Sequence, residues 1–65
     1  MKELTRYVGK RVKIISVRGN EYIGHTIGCT SAIDNDGEES IYIREEKTGI
    51  LYEAYESEIV DIIEL

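Results

Sequence analysis

His25 and Cys29 are the only imidazole and the only thiol in this chain, and the first residues to consider for nucleophilic chemistry. A thiol and its base must lie within hydrogen-bond reach of each other. Both fall in the run Glu21–Asp34, which alternates like a strand, and residues four apart on one strand are separated by about 13 Å. Cys29 is therefore expected as a small buried filler, and His25 as a barrel-end or half-buried residue. The run Asp34-Asn35-Asp36-Gly37-Glu38-Glu39 has the carboxylates of a calcium loop but not its spacing. In an EF-hand the glycine comes later, and a distant bidentate glutamate opens a helix. A solvated loop is the better reading. No catalytic constellation, metal set or cofactor site emerges, so the expectation is a protein that is not an enzyme and carries no cofactor.

Two features suit binding instead. The chain has five tyrosines, and such rings can stack on bases. Tyr42, Tyr52 and Tyr55 lack interleaved cations apart from Arg44, which favours packing or a subunit interface. The second feature is charge. The net value is −5, divided into +5 over residues 1–18 and −10 over residues 19–65. Lys10, Arg11 and Lys13, together with Asn35, are the candidate nucleic-acid contacts. The acidic balance is wrong for a polyanion, so nucleic acid is not the favoured partner.

The elements that must position these residues follow from period and punctuation. Met1–Gly9 reads as a short helix or turn, with Leu4, Tyr7 and Val8 on one face and Gly9 as a stop. Lys10–Arg18 is a first strand whose alternation slips near Ile14–Ile15, as at a bulge. Arg18-Gly19-Asn20 turns the chain into a long second strand, Glu21–Asp34. Alternation puts Ile23, His25, Ile27, Cys29, Ser31 and Ile33 on one face, with the small residues Gly24, Thr26, Gly28, Thr30 and Ala32 beside Tyr22 on the other. Gly24 and Gly28 are where so long a strand would bend and coil. Ser40–Glu46 is a third strand with Ile41 and Ile43 inward, and Lys47-Thr48-Gly49 turns tightly. Ile50–Glu56 is a fourth strand with large apolar groups on both faces, as in a strand covered on two sides. A 3₁₀ turn at Glu56-Ser57-Glu58 leads to a fifth strand, Ile59–Leu65, although a helix over Glu53–Leu65 stays open as an alternative.

Sixty-five residues make one domain near the lower limit for folding alone. A single cysteine permits no internal disulfide, which favours a reducing, cytoplasmic setting. The N-terminus is too polar for a signal peptide, and no apolar run suits a membrane.

A short helix followed by five strands, the second long and glycine-bent, resembles the Sm/LSm family of small SH3-like barrels. Leu4-Thr5-Arg6-Tyr7-Val8-Gly9-Lys10-Arg11-Val12-Lys13-Ile14 is similar to the family's passage from helix to first strand. Gly28 to Asp34 matches the glycine-to-aspartate spacing of the first Sm motif, and Tyr55–Glu64 occupies the place of the second. The resemblance implies a five-stranded, strongly bent antiparallel barrel and ring-type assembly by pairing the fourth strand with a neighbour's fifth. Sm rings bind RNA with an asparagine-containing loop and an Arg-Gly pair. Here Asn35 sits among acids and the pair is Glu56-Ser57, which argues against the usual RNA site.

The expected function is a non-catalytic protein-interaction or assembly module that self-associates or meets a partner with a basic surface. Ile50, Tyr52, Tyr55, Ile59 and Ile62 are the candidate interface residues. The alternative is an RNA-binding regulator of LSm type that uses the basic N-terminal segment.

Overall fold

A computed structural model describes residues 4–31 and 37–65. It contains five antiparallel strands, β1 (Arg11–Ser16), β2 (Glu21–Thr30), β3 (Ser40–Glu45), β4 (Leu51–Tyr55) and β5 (Ile59–Glu64), in one sheet ordered β4-β3-β2-β1-β5. No ladder joins β4 to β5 among the described residues, so the sheet stays open where a closed barrel was expected. The N-terminal segment is one 3₁₀ turn, Leu4–Tyr7, rather than a helix. The region weighed as a helix over Glu53–Leu65 is strand, 3₁₀ turn and strand. No helix among the described residues is long and apolar enough to cross a membrane.

The core is aliphatic: Leu4, Val12, Ile14, Ile41, Ile43, Ile59 and Ile62 are all buried. Alternation in β1 and β3 delivers four of these, with Arg11 and Arg44 turned to solvent. Leu4 seals the sheet from the 3₁₀ turn, with Tyr7 and Val8 packed beside it. Thr26, buried in β2, anchors this turn by donating its hydroxyl proton to the Tyr7 carbonyl. The Gly9 amide donates to the Thr26 carbonyl at 3.0 Å, and the Thr26 amide to the Lys10 carbonyl at 3.0 Å, extending the β1–β2 ladder backwards.

Two bulges shape the sheet. Opposite β3, Thr26 faces Ile43 and Gly28 faces Tyr42, so Ile27 is an extra residue. It stands 55% exposed on the outside. A bulge reverses the alternation, which corrects the single face expected for Ile23, His25, Ile27 and Cys29. Before it, Gly24 and Thr26 are buried and His25 is exposed; after it, Cys29 packs against the core. The strand also ends at Thr30, short of Ser31, and residues 32–34 of its expected length lie outside the described residues. The second bulge is the slip expected in β1: Ile15 faces Asp61 and Ser16 faces Ile59, leaving Val60 as the extra residue on β5. The slip sits one residue later than expected, and the residue inserted is on the partner strand.

Gly24 determines how closely β2 and β3 approach. A methyl group there would sit on the Arg44 carbonyl oxygen and 2.8 Å from its carbon. Only a residue without Cβ admits this crossing. At the β1–β2 turn the requirement is different. Gly19 adopts a φ of 87°, the left-handed region, while its amide donates to the Ser16 carbonyl at 2.9 Å.

Candidate binding edge and cleft

Because the sheet does not close, β4 and β5 are both edge strands. This corrects the reading of β4 as covered on two sides: Leu51 is exposed, and Tyr52 and Ala54 are partly buried against the core. A cleft of about 110 Å³ runs along β4, with Tyr52 and Ala54 on one wall and Ile59 and Val17 on the other. Ile14 and Ile43 also line it, with Arg18, Glu53 and Glu58 at its border. The Tyr22 and Tyr52 rings pack at 4.9 Å between centroids, tilted by 45°, and brace one side. Small-molecule pockets occupy roughly 300–1,000 Å³, whereas an apolar cavity of about 150 Å³ holds a benzene-sized group. The cleft is thus of side-chain size.

The two edges are not equally open. The Glu45 amide donates to the Ile50 carbonyl at 2.9 Å, so ladder alternation turns the backbone groups of Ile50, Tyr52 and Ala54 toward β3. Those of Leu51, Glu53 and Tyr55 then turn outward. Glu58 already caps the Tyr55 amide at 3.2 Å, which leaves Leu51 and Glu53 as the open positions. On β5 the Leu65 amide donates to the Arg11 carbonyl at 2.9 Å, so Ile62 and Glu64 turn outward. The Ile62 amide is occupied by its neighbour, the Asp61 carboxylate, at 2.9 Å.

Charge along β4 and β5 themselves is one-sided, while Arg18 borders the cleft and Arg44 stands opposite Leu51. Residues 51–65 contain Glu53, Glu56, Glu58, Asp61 and Glu64 and no lysine or arginine. Of these five carboxylates, Glu58 and Glu64 have ion-pair partners among the described residues, Arg18 at 3.4 Å and Lys10 at 3.6 Å. Glu53 accepts from the Ser40 hydroxyl at 2.7 Å and the Tyr55 hydroxyl at 3.4 Å. Its negative charge is the main reason the Tyr55 phenol is raised above its ordinary value, with burial and the fields of Tyr42 and Glu38 adding to it.

No family model, curated protein or solved structure matches this chain. The residues singled out from sequence therefore stand on their placement alone.

Among the candidate interface residues, Ile50 is exposed, while Tyr52 and Tyr55 are partly buried. Ile59 and Ile62 do not fit the role as side chains, being 3% and 6% exposed inside the core. The bulge at Val60 spaces them three apart yet turns both inward. The exposed apolar groups near the edges are instead Leu51, Val60, Ile63 and Leu65. Alternation alone could not separate these from the core set.

Lys10, Arg11 and Lys13 do lie together at the start of β1, each engaged by a carboxylate. Lys10 meets Glu64, Lys13 meets Glu21 at 3.3 Å, and Arg11 grips Glu46 with bonds of 2.9 and 3.0 Å. The Arg11 hydrogen bond is the main cause that holds the Glu46 carboxyl below its ordinary value. Asn35 lies outside the described residues, as do Asp34 and Asp36 of the acidic loop. His25 faces solvent and Cys29 faces the core, so the fold does not bring these two together.

Proposed function

We propose that this chain is a non-catalytic protein-interaction and assembly module that works through its two unpaired edge strands. Copies of the chain itself are the first partner, by the Sm-like route in which β4 of one copy pairs with β5 of the next. The observation that carries the reading is the open sheet, which leaves β4 and β5 unpaired on their outer sides. Exposed aliphatic residues lie along both strands, Leu51 on β4 and Val60 and Ile63 on β5. A sheet edge of this kind is a template for another strand.

Charge opposes such pairing without forbidding it. Two carboxylates about 6 Å apart repel by roughly 0.7 kcal/mol at the dielectric of water, and salt screens this further. Hydrophobic contact between the edges outweighs a few such terms at about 25 cal/mol per Å² buried. Association is therefore expected to tighten with salt. RNA binding by the basic segment has less support, since Lys10, Arg11 and Lys13 would each have to leave a carboxylate first.

Light scattering over a wide dilution series, at low and at high salt, tests the reading. The mass should fall on dilution and rise with salt. Leu51→Pro, which removes an outward amide without touching the β3–β4 ladder, should reduce the mass to one chain. A monomer at the highest concentration in both salts would overturn self-assembly, and tight salt-sensitive oligonucleotide binding would favour the RNA-binding alternative.

A further inference from the structure

Resting on the reading of β4 as a working edge, we infer that the space between β4 and β5 receives an extended segment of another protein in which lysine or arginine alternates with aliphatic residues. The segment lies against β4 as an added strand, points an aliphatic side chain into the cleft, and sets its cations against the outer-face carboxylates.

Three independent features converge on that occupant. Leu51 and Glu53 give β4 two consecutive open positions, whereas on β5 the Ile62 amide is taken by Asp61, leaving Glu64 at the strand end; the Tyr55 amide is taken by Glu58. An added strand therefore gains its main-chain bonds on β4. The cleft beside these positions holds about 110 Å³ with Ile14, Ile43, Tyr52, Ala54 and Ile59 along it, room for one aliphatic side chain. On the outer face, Glu53 stands opposite Tyr42 and next to Tyr55; the cation on that face, Arg44 opposite Leu51, donates to the Gly49 carbonyl at 2.9 Å.

Strand geometry joins the three. Side chains of an added strand alternate between faces, so the residue that fills the cleft is flanked by two that face outward. Those two fall beside Glu53 and the Tyr42 and Tyr55 rings, where a cation gains both a carboxylate and aromatic faces. A second copy would reach the same edge of β4 through its β5, bringing carboxylates of like sign, so the basic segment competes with self-association there. The pattern has a precedent within the fold: Arg11-Val12-Lys13-Ile14 runs along the far side of β5 with Val12 and Ile14 buried.

The test is a titration of the isotopically labelled full chain with the peptide Lys-Thr-Lys-Leu-Lys-Thr-Lys, followed by amide chemical shifts. Shifts at Leu51, Glu53, Ala54 and Ile59 that saturate are expected, with an affinity that falls as salt is added. Replacing the peptide leucine by alanine should weaken binding about tenfold. Replacing its lysines by glutamate should abolish binding, and Glu53→Gln in the protein should weaken it a few-fold. Ile63→Glu on β5 adds a further repulsive charge between copies but leaves the slot intact. It should lower the solution mass while peptide affinity stays unchanged, which separates failure of docking from failure of self-assembly. Equal binding of the leucine and alanine peptides, equal binding of the lysine and glutamate peptides, or shifts confined to residues 4–13 would each overturn the inference.

Discussion

Replacing Gly24 by alanine tests the structural argument most directly, with Gly28→Ala as its matched control. The two glycines are four apart in the sequence, where they look equivalent. In the fold they differ. At Gly24 the added methyl meets the backbone of Arg44 and lies 3.1 Å from the Glu45 Cα, none of which can rotate aside. At Gly28 nothing lies within 4 Å and the backbone is not in the left-handed region. Overpacking commonly costs about 1–3 kcal/mol, and a clash with backbone belongs at the upper end, near 3 kcal/mol. A domain of this size is stable by roughly 3–10 kcal/mol and loses about 4–8 °C of midpoint per kcal/mol. Gly24→Ala should therefore lower the thermal midpoint by roughly 12–24 °C. Gly28→Ala should leave it unchanged or raise stability by up to about 1 kcal/mol, by restricting the unfolded chain. Thermal and urea unfolding followed by circular dichroism give the midpoint and the free energy, with the urea slope checked for constancy. Equal midpoints for the two variants would refute the claim that Gly24 admits the close approach of β3 to β2.

Other outcomes follow from single contacts. Thr26→Val removes the donor to the Tyr7 carbonyl and the acceptor of the Lys10 amide; unfolding should become easier by about 1–3 kcal/mol, with exchange of the Gly9 and Lys10 amides accelerated. The Glu46 carboxyl is held low chiefly by its hydrogen bond from Arg11, and the Glu38 carboxyl by its hydrogen bond from Ser57. Their contribution to stability is full above the unfolded value of about 4.3 and is lost as the pH falls through the lower folded values. Urea midpoints should therefore drop in acid, less steeply in Glu46→Gln. The Tyr55 phenol, held high foremost by Glu53, should titrate closer to about 10 in Glu53→Gln; carbon NMR of the tyrosine rings reads this, and an unmoved curve would remove the negative field assigned to the β4 face.

The sequence order of the elements was legible because each is bounded by strong local punctuation. Arg18-Gly19-Asn20 and Lys47-Thr48-Gly49 delimit strands whose inward residues, Val12, Ile14, Ile41 and Ile43, alternate cleanly. The slip in β1 was visible as a change of parity. The bulge at Ile27 was not, since Ile23, His25, Ile27 and Cys29 alternate without a break and nothing local marks an extra residue. It shows only against the neighbouring strand, where the β2–β3 register shifts between Thr26 and Gly28. Ile59 and Ile62 were misplaced for a related reason. Spacing by three matches no flat strand, and only the bulge at Val60 turns both inward.

What the amino-acid sequence determined by itself is the set of strands, their order along the chain, and the separation of a basic beginning from an acidic remainder. These are local or additive properties, set by side-chain period, turn residues and charge. Tertiary structure alone decided that the early cations are neutralised by distant carboxylates, that the sheet stops short of closing, and that β4 keeps an open edge beside a side-chain-sized cleft. Such features depend on which residues meet across the sheet. A pairing over 35 positions, as between Arg11 and Glu46, leaves no trace in either residue's own neighbourhood.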